Sequence, residues 1–299
     1  MLHAWSSAHY QIPLPAGHRF PIAKYALLRE RVLADGIVRA GHVHDPERAT
    51  PADLHLVHDA DYVSAVLNGT LAPPALRRIG FPWSAHLVER SLRAVGGTIG
   101  ATRAALEHGV AMNLAGGTHH AFRGHGEGFC VFNDVAIAVR VLQRDRRVRR
   151  VVIVDLDVHQ GNGTHAVFAG DADVFTFSMH GRRNYPFHKV DGDLDVALED
   201  GTADDEYLGR LSDVLPCVLA RQAPDLVVFL AGADPLRTDA LGRLALTHEG
   251  LSRRDAFVLD TCRAVGVPVA ITIAGGYARD IEETVAAHTN TARLAASYA

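Results

Sequence analysis

Residues 151–163 read Val-Val-Ile-Val-Asp-Leu-Asp-Val-His-Gln-Gly-Asn-Gly, and the change of character within that stretch sets the fold class. Val151 to Leu156 is a nearly continuous apolar run of strand length, the pattern of a strand covered on both faces. It gives way at once to carboxylates, an imidazole and glycines. Four other runs share this character: Val110 to Leu114, Val174 to Ser178, Leu226 to Ala231 and Val267 to Ile273. Helix-length amphipathic stretches separate them: Ala85 to His108, Asp134 to Gln143, Ala203 to Arg221, Leu251 to Val265 and Ile281 to Ala296. Such alternation predicts an α/β protein, a parallel β-sheet with right-handed crossovers sandwiched by helices on both faces. The first eighty residues are less regular. Phe20 to Leu33 and Asp59 to Leu67 read as helices, and Ala72 to Pro82, with three prolines, reads as a loop. No repeat, low-complexity tract or long linker interrupts the pattern, so residues 1–299 are expected to form a single domain.

Bulk properties narrow the function. The chain has 299 residues, 48% of them hydrophobic, enough for one large core. A formal charge of -4 disfavours nucleic-acid binding by bulk attraction, which needs a basic face to displace counterions. The basic run Arg144, Arg146, Arg147, Arg149 and Arg150 precedes a buried strand and is expected to be a solvated helix end or turn rather than a phosphate site. Cys130, Cys217 and Cys262 lack CxxC spacing, which argues against a disulfide framework and a thiolate metal site. A reducing, cytoplasmic setting is expected, with oligomeric state left open. The N-terminus lacks the layout of a signal peptide, and no apolar run approaches the roughly 20 residues of a membrane helix.

Ligands of open α/β sheets bind beyond the carboxyl ends of the strands. Each of the five runs ends there in polar or glycine-rich sequence: Ala115-Gly116-Gly117-Thr118-His119-His120, then Asp155 to Gly163, Ser178-Met179-His180, Ala231-Gly232-Ala233-Asp234 and Ala274-Gly275-Gly276-Tyr277. Asp157 and His159, two apart at a strand end, are expected to point to one face and meet one ion. Asp234 is the best third ligand, which would leave a position for water at a catalytic zinc. Each residue has an ordinary alternative: strand-end carboxylates cap helices, and Asp234 before Pro235 suits a turn. The histidine pair His119-His120 follows two glycines that allow a tight turn, and imidazoles can move protons to and from water and a leaving amine. Adjacent histidines also arise by chance in a chain with 18 of them. Tyr277 can aim a hydroxyl at a developing oxyanion, or simply pack as an aromatic.

Taken together, Gly117-Thr118-His119-His120-Ala121, Gly128-Phe129-Cys130-Val131-Phe132-Asn133-Asp134, Asp155 to Gly163, Ser178-Met179-His180, Ala231 to Asp234 and Gly275-Gly276-Tyr277 resemble, in order, the zinc-dependent histone deacetylase family. The resemblance includes its acetoin-utilisation and acetylpolyamine amidohydrolase branches. Arg19-Phe20-Pro21 and Gly201 to Tyr207 are most similar to its short, class IV-like members. The resemblance implies an arginase/deacetylase-like fold and one catalytic zinc on Asp157, His159 and Asp234. His120 would be general base and acid, His119 its charged partner, and Tyr277 the hydrogen-bond donor to the scissile carbonyl. Asp155 would orient His119, and Asn162 would orient His120, where several branches carry Asp. The Gly128 carbonyl would accept the substrate amide N–H, Phe129 and Tyr185 would wall a channel, and Leu241 would stand at its lip. A structural K+ or Na+ would use Asp155, Asp157, His159, Ser178 and Met179. The implied activity is removal of acetyl or longer acyl groups from the ε-amine of lysine in a protein or peptide. Alternatives are a hydrolase of small acylated amines such as acetylpolyamines, which the absence of a long insertion disfavours, and a non-catalytic acyl-lysine binding module. Arginase-like chemistry would need a second metal, and the sequence offers ligands for one.

Overall fold

The apolar runs pair side by side in the computed structural model, which describes residues 1–299. Eight strands form one sheet: β1 His3–Trp5, β2 Val43–His44, β3 Val110–Asn113, β4 Val151–Asp155, β5 Val174–Gly181, β6 Leu194–Leu198, β7 Leu226–Leu230 and β8 Val269–Thr272. Their order is β2-β1-β3-β8-β7-β4-β5-β6, and every pairing is parallel. The helices are α1 Lys24–Ala34, α2 Pro51–Leu54, α3 Ala60–Asn68, α4 Pro73–Ile79, α5 Ala85–His108, α6 Asp134–Arg144, α7 Asn162–Phe168, α8 Asp204–Gln222, α9 His248–Ala264 and α10 Ile281–Tyr298. Every residue of β3, β4, β7 and β8 is buried, as continuous apolar runs require.

The order of the strands locates the crevice. From β3 through β4, β5 and β6 the chain moves in one direction across the sheet, and through β7 and β8 it moves back. With right-handed crossovers, the reversal puts α6 and α7 on one face and α8 and α9 on the other. Helix α5 packs on α6, while α8, α9, α10 and α1 pack in succession on the opposite side. Strands β4 and β7 are neighbours, paired Asp155 to Leu230, yet their outgoing loops leave toward opposite faces. A crevice opens where such loops part, and Asp157, His159 and Asp234 all lie in it.

Several elements differ from the sequence reading. The segment Ala72 to Pro82 is not all loop: α4 occupies Pro73–Ile79. Its prolines stand at the first helical positions, where a missing N–H goes unused, and Gly80 ends it with a φ of 87°. Helix α1 starts at Lys24 rather than Phe20. Strands β1 and β2 have three and two residues, too few for a periodic signal. Strand β6 lies at the sheet edge, where exposure alternates and Asp195 interrupts the apolar pattern. Asp157 and His159 lie past the end of β4, in a bend, so strand periodicity does not align them. The Asp157 carboxylate does so, accepting the His159 N–H at 2.9 Å. No helix is long and apolar enough to cross a membrane.

His58 ties the loops beneath the crevice together. Its Nδ1 donates to Phe122 O at 2.8 Å, and its Nε2 accepts the Asn133 N–H at 3.0 Å, so both ring nitrogens are used by the neutral form. Burial pushes its pKa down to about 4. Because the folded protein disfavours the imidazolium, this contribution to stability is full above the usual value of about 6.5 and is lost as pH falls from there through about 4. We expect the melting temperature to fall across that window and His58→Asn to show a shallower fall from a lower starting value. An unchanged slope in the variant would contradict this role.

Candidate metal centre and active-site cleft

Three side chains meet at the carboxyl edge of the sheet. His159 Nδ1 faces Asp157 Oδ1 at 2.9 Å and Asp234 Oδ2 at 3.2 Å, and all three residues are buried. One nitrogen from His159 and one oxygen from each carboxylate lie within 4.8 Å of one another, a group that could hold a metal ion. The remaining oxygens are engaged by backbone: Asp157 Oδ2 accepts the Gly275 N–H at 2.7 Å and Asp234 Oδ1 the Val158 N–H at 2.9 Å. A single ring N–H serves one acceptor, and Asp234 Oδ2 is left without a hydrogen bond. Burial, then repulsion from Asp157, raises the Asp234 pKa. Burial lowers that of His159, but the carboxylates outweigh it and carry it up to about 10. The pocket therefore favours a positive charge at its centre. Gly232 and Gly275 are packed so closely on Asp157 and Asp234 that a Cβ at either would strike the carboxylates. The residues present fit a metal ion.

The histidine pair comes from the loop after β3. Gly116 and Gly117, with φ of 80° and 76°, turn the chain, and Asp134 at the start of α6 fixes the turn by accepting the N–H groups of Gly117 and Thr118 at 3.1 and 2.7 Å. The two imidazoles lie 4.1 Å apart between ring centres. His119 Nδ1 meets Asp155 Oδ2 at 2.6 Å. Burial opposes its charge, yet Asp155 and then Asp157 carry its pKa up to about 9. His120 is pushed well below its ordinary value, first by burial and then by its charged neighbours His119 and His159. Asn162 sets its tautomer. The Asn162 amide nitrogen donates to Glu127 at 2.7 Å, so its oxygen accepts from His120 Nδ1 at 2.7 Å. The lone pair of His120 Nε2 is therefore free to take a proton.

Tyr277 enters from the loop after β8. Ala274 has a φ of 49°, a left-handed value that is costly for alanine. Lys24, buried in α1, holds this turn by donating to Ala274 O at 3.4 Å and Gly276 O at 3.2 Å. Asp239 fixes the far side, accepting the N–H groups of Tyr277 at 2.6 Å and Leu241 at 2.8 Å. Burial raises the Tyr277 hydroxyl well above its ordinary pKa, which keeps it a proton-bearing donor.

A cleft of about 390 Å3 brings His120, His159 and Tyr277 together with Gly128, Phe129, Tyr185 and Leu241. Gly128 and Phe129 take successive left-handed conformations, φ 56° and 66°, and their N–H groups donate to the last carbonyls of α4, Arg78 O at 3.2 Å and Ile79 O at 2.8 Å. The Tyr185 ring stands edge-on to His120, 4.9 Å between centres. Cys130 is buried and its thiol donates to Gly128 O at 3.4 Å. Asp155 and Ser178 are register partners on β4 and β5, Ser178 Oγ meets His180 Nδ1 at 3.0 Å, and Met179 is buried.

Sequence reasoning passed over the residues that hold this arrangement: Lys24, Glu127, Asp134, Asp239 and Arg254. Arg254 in α9 is the largest fully buried side chain among them. It donates to Gly232 O at 2.6 Å and Leu156 O at 3.3 Å, beneath the loops that carry Asp234 and Asp157, and pairs with Asp255 at 2.7 Å. An arginine on a helix with many charges gives no sign in sequence that it points inward. Asp134 stood in a recognisable segment, but a carboxylate at a helix start reads as a cap.

A parallel α/β sheet with an Asp–His–Asp group and a histidine pair at its switch point defines a candidate metallohydrolase. Comparison with known proteins places the chain in a family of hydrolases. The histone deacetylase domain matches residues 18–292. An uncharacterised protein of Picosynechococcus sp. is 51% identical over 286 residues, which cover 96% of this chain and 95% of that protein. Histone deacetylase 2 of Arabidopsis thaliana is 31% identical over 284 residues, covering 90% of this chain and 72% of that protein. The crystal structure of an HDAC homolog complexed with SAHA superposes with a TM-score of 0.88 at 26% identity, covering 99% of this chain and 84% of the other. The chain belongs to the histone deacetylase family, within the arginase/deacetylase superfamily.

The Arg254–Asp255 pair gives a stability test. Arg254→Met leaves the buried Asp255 carboxylate without its cationic partner, with only the Thr291 hydroxyl still donating to it, and is expected to cost about 3–5 kcal/mol, read from the urea midpoint. Removing both charges, with Arg254→Met and Asp255→Leu, should recover the part of that loss that comes from the stranded carboxylate, while the freed Leu156 and Gly232 carbonyls keep the rest. A wild-type midpoint for Arg254→Met alone would contradict the assignment.

Proposed function

We propose that this protein is a zinc-dependent deacylase that hydrolyses the amide of acyl-lysine, acetyl or longer. The observation that carries this reading is the single cleft shared by His159 of the Asp–His–Asp group, the His120 imidazole and the Tyr277 hydroxyl. Asp157, His159 and Asp234 would hold the ion, and zinc there would supply a Lewis acid that polarises a carbonyl and lowers the pKa of a water to about 7. His120 takes the proton of the attacking water on Nε2, the nitrogen that Asn162 leaves free. The same proton then passes to the leaving amine. His119, kept charged by Asp155, favours the negative charge that develops on the carbonyl oxygen. Tyr277 donates its hydroxyl proton in a hydrogen bond to that oxygen. The Gly128 carbonyl orients the amide N–H, with Phe129 and Tyr185 excluding water from the aliphatic stem and Leu241 at the lip. A K+ or Na+ on Asp155, Asp157, His159, Ser178 and Met179 is part of the same proposal, supported by the facing of Asp155 and Ser178 across β4 and β5.

The test is release of free lysine from acetyl-, longer-acyl- and lactyl-lysine peptides, with acetylated polyamines alongside. Turnover is expected to need the metal and to stop with chelator. His120→Ala and Tyr277→Phe should each lower it on the order of 10²-fold or more while the far-UV spectrum stays that of the wild type. Wild-type turnover by either variant would overturn its assigned role, and turnover of polyamines alone would move the function to small acylated amines.

A further inference from the structure

The mouth of the cleft carries five arginines, Arg19, Arg77, Arg78, Arg183 and Arg243, and no Asp or Glu lines it. All five are exposed. They arrive from four separate segments: the loop before α1, the last turn of α4, the loop after β5 and the loop between β7 and α9. Arg183 and Arg243 share one carboxylate, Asp200, at 3.9 and 3.2 Å. Arg19, Arg77 and Arg78 have no carboxylate within 4.0 Å. In two other depressions that several arginines line, the arginines are interleaved with acids. Arg48, Arg103 and Arg144 share theirs with Asp45, Asp53 and Glu107, and the basic run that follows α6 faces Asp171, Asp173 and Asp225. With a net formal charge of -4 for the whole chain, the cationic rim is a local feature.

We infer that this rim selects acylated amines whose amine-bearing part carries carboxylates, above all acyl-lysine flanked by Asp and Glu in a peptide. The inference rests on the deacylase reading for the direction in which substrate lies. With the acyl carbonyl at the buried His120, His159 and Tyr277, the part that remains at the mouth is the part that bore the amine. Unpaired guanidiniums there attract carboxylates and repel cationic chains, an effect that screening weakens beyond about 8 Å at physiological salt. Lysine-rich peptides and acetylated polyamines would bring positive charge to a positive rim and are disfavoured. The α-carboxylate of a free acyl-lysine offers the same chemistry from a smaller source. Because the rim acts on approach and docking, its effect belongs in affinity and KM rather than in kcat.

The experiment compares acetyl-lysine peptides with acidic, neutral and basic flanks, free Nε-acetyl-lysine and an acetylated polyamine. Affinity is read by displacement of a fluorescent acidic acetyl-lysine peptide, and turnover is read in parallel on the metal-loaded protein. The acidic peptide is expected to bind roughly tenfold or more tightly than the basic one at low salt, with the ratio collapsing in 0.5 M NaCl. Within the Arg77→Glu/Arg78→Glu protein, and separately within Arg19→Gln/Arg243→Gln, the acidic-to-basic ratio should shrink. A ratio taken within one preparation is unaffected by any loss of folded protein. Preference for free acetyl-lysine over every peptide would assign the carboxylate to the small source. Tight binding of acidic peptides without turnover would keep this inference and remove the deacylase reading. Equal affinity for acidic and basic flanks, or a preference for basic ones, would overturn the inference whether or not turnover occurs.

Discussion

Asp157 and Asp234 are buried against the same His159 ring, and two like charges in a dry site are unstable without a cation between them. Much of the surrounding architecture serves that constraint. Backbone N–H groups from Val158, His159 and Gly275 satisfy the outward oxygens and fix the inward ones. Gly232 and Gly275 let the neighbouring loops close on the carboxylates, where any side chain would push them apart. Below, Arg254 binds the carbonyls of Leu156 and Gly232, so the loops after β4 and β7 are set against each other by one buried guanidinium.

The sheet order makes this convergence possible. Strands β4 and β7 are neighbours whose outgoing loops part to opposite faces, leaving a gap at their carboxyl ends. The loops after β3 and β8, themselves paired strands, bring His119-His120 and Tyr277 to the same opening. The candidate site thus draws on the ends of four adjacent strands rather than on one motif. Each polar residue near the gap has a support that fixes its state: Asp155 for His119, Asn162 and Glu127 for His120, Lys24 and Asp239 for the Tyr277 turn. Rigidity of this kind reduces the reorganisation that charge development would otherwise require.

How far this could be read in the sequence follows from the range of each interaction. The buried strands announced themselves because four to six apolar residues in a row have few other uses, and helix α5 was legible from end to end, Ala85–His108. The Asp–His–Asp group and histidine pair were legible as residues at strand ends. A bend beyond β4, not strand periodicity, aligns Asp157 and His159. Short edge strands such as β1 and β2 owe their existence to a neighbour, and Pro73-Pro74 hid α4 because proline opens helices as readily as it breaks them. Lys24 and Arg254 were invisible for a related cause: a cationic side chain turns inward only when carbonyls from distant loops await it, and those contacts span 250 and 98 residues. The arginine rim is equally non-local, assembled from residues between 19 and 243.

Under the proposed function, the Asp157–His159–Asp234 pocket would hold one divalent ion, zinc, as part of the folded protein. Metal content of the purified chain, measured by elemental analysis after exhaustive dialysis and repeated for Asp234→Asn, tests it most directly. One equivalent of zinc per chain is expected in the wild type and a large loss in the variant. A wild-type chain that stays folded and refuses zinc, or an Asp234→Asn chain that retains a full equivalent, would contradict it.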